Sequence, residues 1–129
     1  MKIITSNEAP AAIGPYSHAI ETGCRNQDSL IFTSGQIPIL PSTGELVKGG
    51  VKEQAEQVIK NLKAVLTSAG SDLDHVIKTT CFLTDMADFA VFNEVYAAHF
   101  TCKPARSCVA VHALPKSALV EIEAVAELK

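Results

Sequence analysis

Arg106, Cys108, Glu121 and Glu123 carry the chemistry most open to interpretation, because alternation within two β-like segments, 106–113 and 119–127, places them on one face if the segments pair around Leu114-Pro115-Lys116-Ser117. A guanidinium on a half-buried face is a planar, permanently charged fork that meets a carboxylate with two parallel hydrogen bonds. A glutamate beside it can direct or deprotonate a water, since a partly dry carboxylate has a raised pKa. Alternation puts both Glu121 and Glu123 on that side and does not choose between them. An equally simple reading pairs Arg106 with one of these glutamates as a structural ion pair, and spacing does not decide. A Cys108 nucleophile with His112 as its base is disfavoured, because four residues of strand separate them by ~13 Å.

Two further strings supply room for a ligand. Ser34-Gly35-Gln36-Ile37-Pro38 ends a strand-like run with a glycine that lets a ligand approach the backbone, and Ile13-Gly14-Pro15-Tyr16 offers a tyrosine that either leans over a ligand or caps the core. The cysteines Cys24, Cys81, Cys102 and Cys108 read as free thiols. Neither they nor His18, His75, His99 and His112 show the local spacing of a zinc site, so no metal is expected.

The elements that must position these residues follow from periodicity. Residues 17–22 and 30–35 read as strands joined by a polar loop over Cys24-Arg25-Asn26-Gln27-Asp28. Val51, Ala55, Val58, Ile59, Leu62, Val65, Leu66 and Ala69 recur at helical spacing, and Gly70 ends that helix. His75 to Thr84 is β-branched and predicts a strand. Asp85 caps a second helix whose apolar stripe, Phe89, Phe92, Tyr96 and Phe100, reads as core. The order β-β-α-β-α-β-β predicts an α+β fold with five or so strands and two helices on one face. Val109, Val111 and Ala113 would then share the helix-packed side with Val120, Ile122, Ala124 and Ala126. Arg106, Cys108, Ala110 and His112 would share the open side with Leu119, Glu121, Glu123 and Val125, a mixture that an oligomer would cover.

Composition narrows the function. A chain of 129 residues suits one domain, 1–129, and 47% hydrophobic against 19% charged residues is an ordinary globular composition. No apolar run approaches the ~20 residues that span a bilayer, and Met1-Lys2-Ile3-Ile4-Thr5 opens no sustained apolar stretch, which predicts a cytoplasmic protein with no membrane partner. The formal charge is −3, the 11 Lys and Arg are scattered, and five Phe, two Tyr and no Trp form no stacking cluster, so nucleic acid is not an expected partner.

Taken together, Ala11-Ala12-Ile13-Gly14-Pro15-Tyr16, Thr33-Ser34-Gly35-Gln36-Ile37-Pro38, Val76-Ile77-Lys78-Thr79-Thr80, Pro104-Ala105-Arg106-Ser107-Cys108-Val109 and Glu121-Ile122-Glu123-Ala124 closely resemble the Rid (YjgF) family of reactive intermediate deaminases, in particular its RidA branch. The similarity runs over nearly the whole chain with the motifs in order. It implies a chorismate-mutase-like α+β fold and a homotrimer with sites in the clefts between subunits. The implied reaction is cofactor-free hydrolysis of enamine and imine carboxylates, 2-aminoacrylate or 2-iminobutanoate, released by pyridoxal-phosphate enzymes. By the resemblance, Arg106 binds the carboxylate, Glu121 directs the water, Cys108 contributes largely through its backbone, and Tyr16, Gly35 and Asn93 line the cleft. The stretch 24–28 departs from the family by lengthening the first hairpin. A ribonuclease or translation-inhibitor activity, a label the family has also carried, is the rival reading. A non-catalytic small-acid binder or chaperone-like protein is the third.

Overall fold

A computed structural model of the chain describes residues 1–23 and 29–129, so the lengthened hairpin expected at 24–28 lies outside the described residues. The elements are β1 (Lys2–Ile4), β2 (Ala19–Glu21), β3 (Leu30–Thr33), α1 (Val51–Ala69), β4 (Val76–Leu83), α2 (Phe89–His99), β5 (Ala105–Ala110) and β6 (Val120–Glu127). The strands form one six-stranded sheet in the order β1-β2-β3-β6-β4-β5. Every neighbouring pair is antiparallel except β4 and β5, which run parallel and are joined through α2.

The mixed sheet and the two helices match the α+β expectation. The β1 edge strand was not expected, and the strands read over 17–22 and 30–35 are shorter, at three and four residues. Among the described residues no helix is long and apolar enough to cross a membrane.

The expected pairing of the last two segments is overturned. β6 lies between β3 and β4, and β5 pairs only with β4, with Thr79 opposite Arg106, Cys81 opposite Cys108 and Leu83 opposite Ala110. Side chains of residues paired across a ladder point to the same face, so the register assigns faces directly. Thr79, Cys81 and Leu83 are fully buried, as are Val120, Ile122 and Ala126, while Ala124 is nearly so; this is the helix-packed side. Arg106, Cys108 and Ala110 therefore stand with the helix-packed side. Val109, expected in the core, stands with Glu121, Glu123 and Val125 on the other face and is 46% exposed.

α1 builds the core as its periodicity requires: Ala55, Val58, Leu62, Val65, Leu66 and Ala69 have no exposed surface, each larger side chain contributing ~1.5–3 kcal/mol by leaving water. Glu53 reaches back to accept from the Gly50 N–H at 2.9 Å, and Gly70 closes the helix at φ 87°, a left-handed turn that favours glycine. α1 also carries polar ties. Asn61 donates to the carbonyls of Ile37 and Ile39 at 3.1 and 2.9 Å, and Gln54 accepts from the Leu119 N–H at 2.8 Å. These hold the loop after Gly35 and the start of β6 against one helix.

Asp85 accepts from the Ala87 N–H at 2.9 Å as expected of a cap, although a tight turn, Met86–Asp88, precedes α2. Buried His18 accepts from the Ser6 N–H at Nδ1 and donates through Nε2 to the Pro10 carbonyl, both at 2.9 Å. That imidazole pins the N-terminal segment that leads to Tyr16.

Candidate active site

The site residues form two groups, one on each face of the sheet. On the helix-packed side, Arg106 leaves edge strand β5 and lays its guanidinium beneath α2. Its carbon lies 4.7 Å from the centre of the Tyr96 ring, 5.6 Å from Phe89 and 6.0 Å from Phe92, within cation–π range. One nitrogen donates to Asn93 Oδ1 at 2.8 Å. Phe89, Phe92, Asn93 and Tyr96 recur at spacings of three and four, so a single helix face supplies the whole seat. Among the described residues no carboxylate lies within ion-pair distance of Arg106. A half-buried guanidinium that rests on rings and touches one neutral amide keeps N–H groups with which it can meet an anion. The structural pairing with Glu121 or Glu123 is excluded within one chain, because those carboxylates project from the opposite face.

Cys108 lies two residues along the same strand face. Burial pushes its thiol up, with Arg106 opposing the shift, and burial pushes the neighbouring Cys81 thiol up to about 12. Both favour the protonated thiol, and His112 lies beyond the end of β5, so neither cysteine is activated as a nucleophile.

On the open face, Tyr16, Gly35 and Glu121 come together with Ile13, Thr33, Ser34, Ile37, Pro115 and Glu123 around a cavity of about 440 Å³. Gln36 and Ile122 exchange backbone hydrogen bonds of 2.9 and 3.2 Å, which sets Gly35 against Glu121. A Cβ built on Gly35 would collide with a Glu121 carboxylate oxygen and stand 2.8 Å from its Cδ. Any larger residue at this position would force the Glu121 carboxylate to move from where it stands. The Tyr16 hydroxyl accepts from the Ile13 N–H at 3.2 Å, and Ser34 donates to the Ser17 carbonyl at 2.6 Å, so the loop is folded over the same cavity. The Glu121 pKa is raised, first by burial and then by the Glu123 charge, which suits a carboxylate that exchanges protons with a ligand or water.

Of the six residues singled out from sequence, the structure thus gathers Arg106, Asn93 and Cys108 at one seat and Tyr16, Gly35 and Glu121 at another. It does not bring Arg106 and Glu121 together in one chain. The aromatic platform under Arg106 was read only as core; the helical spacing of Phe89, Asn93 and Tyr96 was the signal that could have found it. Among the described residues no three His, Cys, Asp or Glu side chains cluster as a metal site would require.

Comparison with known proteins converges on one group. A family profile described as Endoribonuclease L-PSP matches residues 6–128. The 2-iminobutanoate/2-iminopropanoate deaminase of Mus musculus is 48% identical over 126 residues, 97% of this chain and 90% of the mouse protein. The crystal structure of RidA from an Antarctic Psychrobacter is 43% identical, with a TM-score of 0.91 over 99% of this chain and 100% of that one. The structure of Escherichia coli TdcF with bound serine is 44% identical, with a TM-score of 0.88 and complete coverage of both chains. At such identity along almost the entire length, the chain belongs to the Rid/YjgF family of RidA-like proteins.

Proposed function

We propose that this protein is a 2-iminobutanoate/2-iminopropanoate deaminase, a cytoplasmic hydrolase that converts enamine and imine carboxylates to 2-oxo acids and ammonia in clefts between the subunits of a homotrimer. The observation that carries this reading is the back-to-back placement of Arg106 and Glu121. A small 2-imino acid has its carboxylate one bond from its reacting carbon, so both groups can serve one substrate only if the Arg106 side of one chain meets the Glu121 side of another. The name of the mouse relative gives the substrate class, and the serine bound by Escherichia coli TdcF is of the same size and also bears a carboxylate.

In the proposed cleft the Arg106 guanidinium, with one nitrogen on Asn93, offers its remaining N–H groups to the substrate carboxylate. Glu121 from the neighbouring chain orients a water at the C=N carbon and accepts its proton as the C–O bond forms. The proton then passes to the nitrogen to give the carbinolamine, whose hydroxyl proton moves by way of Glu121 to the amine as the C=O bond forms and the C–N bond breaks, leaving the oxo acid and ammonia. The open sheet face supports the assembly. Ile3, Phe32 and Val109, spread across it on β1, β3 and β5, are 61%, 46% and 46% exposed, apolar side chains that a chorismate-mutase-like trimer would cover.

A ribonuclease, the activity in the family profile's description, fits less well. The described residues lining the cavity at Gly35 include two carboxylates and no basic side chain, a poor surface for a phosphate backbone even with Arg106 of the neighbouring chain added. A mere binder leaves the desolvated Glu121 without a role.

The direct test measures 2-oxobutanoate released from freshly generated 2-iminobutanoate, with the protein expected to raise the rate above spontaneous hydrolysis. Val109→Asp, which places a charge on the open face, is expected to sediment as a monomer and lose that acceleration together with the trimer. A stable monomer with full activity would rule out the shared cleft.

A further inference from the structure

The carboxylate seat contains a ring that the reaction as described does not use. Tyr96 is 8% exposed, and its hydroxyl is hydrogen-bonded to the Thr79 hydroxyl at 2.7 Å in the interior. Thr79 is the register partner of Arg106 on the adjacent strand. The tyrosine therefore spans from helix α2 to β4 by its hydroxyl and to β5 by its face. Phe100 stacks on the same ring, with centres 4.3 Å apart and planes 24° from parallel, so the ring is also held against tilting.

A phenylalanine would fill this volume equally well. The hydroxyl adds a fixed distance between the ring and the strand position opposite Arg106, and burial, which raises its pKa, keeps the phenol protonated. Of the three aromatics near the guanidinium, Tyr96 is also the nearest. An arginine side chain is otherwise free to adopt many rotamers, and a guanidinium already held over the ring and by Asn93 loses less freedom when it grips a carboxylate.

We propose that Tyr96, anchored by Thr79, is a positioning residue for Arg106, and that its ring face sets how strongly the cleft holds a substrate carboxylate. The proposal rests on the reading of Arg106 as the carboxylate seat. It assigns Tyr96 to substrate affinity and not to the hydrolytic step, because its hydroxyl is turned into the interior on Thr79 and only its ring face meets Arg106.

The test compares KM and kcat for 2-iminobutanoate, and Kd for 2-oxobutanoate by calorimetry, across ring variants. Tyr96→Leu is expected to raise KM and Kd about tenfold with kcat within about twofold, the size of a partly desolvated cation–π contact. Tyr96→Phe and Thr79→Val keep the ring and lose the anchor, so each should raise KM about two- to threefold. Should Tyr96→Leu not fold, a chain with pentafluorophenylalanine at position 96 carries the test, since it nearly matches Phe in shape and reverses the charge of the ring face. It is expected to bind 2-oxobutanoate about tenfold more weakly than Tyr96→Phe. Equal binding by these two, or a fall in kcat at unchanged KM, would overturn the proposal. Arg106→Ala serves as the control: if it binds 2-oxobutanoate like the wild type, the carboxylate seat itself is wrong. If it loses binding while the ring variants do not, only the role of Tyr96 falls.

Discussion

Arg106→Ala is expected to remain folded and trimeric and to show no measurable acceleration of 2-iminobutanoate hydrolysis. Two charge-assisted hydrogen bonds to a carboxylate, at ~1.5–3 kcal/mol each, correspond to a loss of about 10² to 10⁴ in kcat/KM. Arg106→Lys should fail nearly as badly, because an ammonium keeps the charge but neither the fork nor the guanidinium's place over the Tyr96 ring, 4.7 Å from its centre. The variant should also lose the gain in melting temperature that 2-oxobutanoate confers on the wild type. The fold should survive because, among the described residues, no carboxylate within ion-pair distance is left without its partner. A rate equal to that of the wild type would sink the mechanism, and collapse of the trimer would return Arg106 to a structural role.

Glu121→Gln keeps the size of the side chain and removes the charge, so turnover should fall by ~10²-fold or more with assembly intact. Its pH dependence gives a sharper reading. The carboxylate must be ionised to accept a proton, so activity should fall as pH drops through its pKa, and burial and Glu123 place that fall above the ordinary value of 4.5. Glu123→Gln removes the like charge and should move the acid limb to lower pH while leaving most of the activity. Stopped initial rates across the acid range would show both effects. If Glu123→Gln abolishes turnover and Glu121→Gln does not, the water-directing role belongs to the other carboxylate.

How much of this was legible in the sequence depended on whether the information was local. The α1 stripe from Val51 to Ala69 came out as periodicity predicts, because one helix face meets one sheet. Alternation within β6 was also right, with Val120, Ile122, Ala124 and Ala126 inside and Glu121 and Glu123 on the other face. The partner of β5 was not legible. Two strand-like segments around a short proline turn read as a hairpin, yet Lys116 and Ser117 take positive φ of 56° and 58° and the chain leaves for a strand on the far side of β4. That single pairing decides the face on which Arg106 stands. β1 spans three residues, too few to carry a period. Gly35 could be read as a place of close approach, but that Glu121 is what approaches it depends on the Gln36–Ile122 bridge, a contact between residues 86 positions apart in the chain.

The opposed placement of Arg106 and Glu121 has a genetic consequence. In the proposed ring of three, each chain would lend its arginine to one cleft and its glutamate to the next, so a chain damaged at one residue would still carry a sound copy of the other. Subunits bearing Arg106→Ala and subunits bearing Glu121→Gln, each inactive by itself, would form mixed rings with one intact cleft, where an undamaged Arg106 faces an undamaged Glu121. Two null alleles of this small gene would then complement each other in one cell, whereas a chain carrying both substitutions would rescue neither.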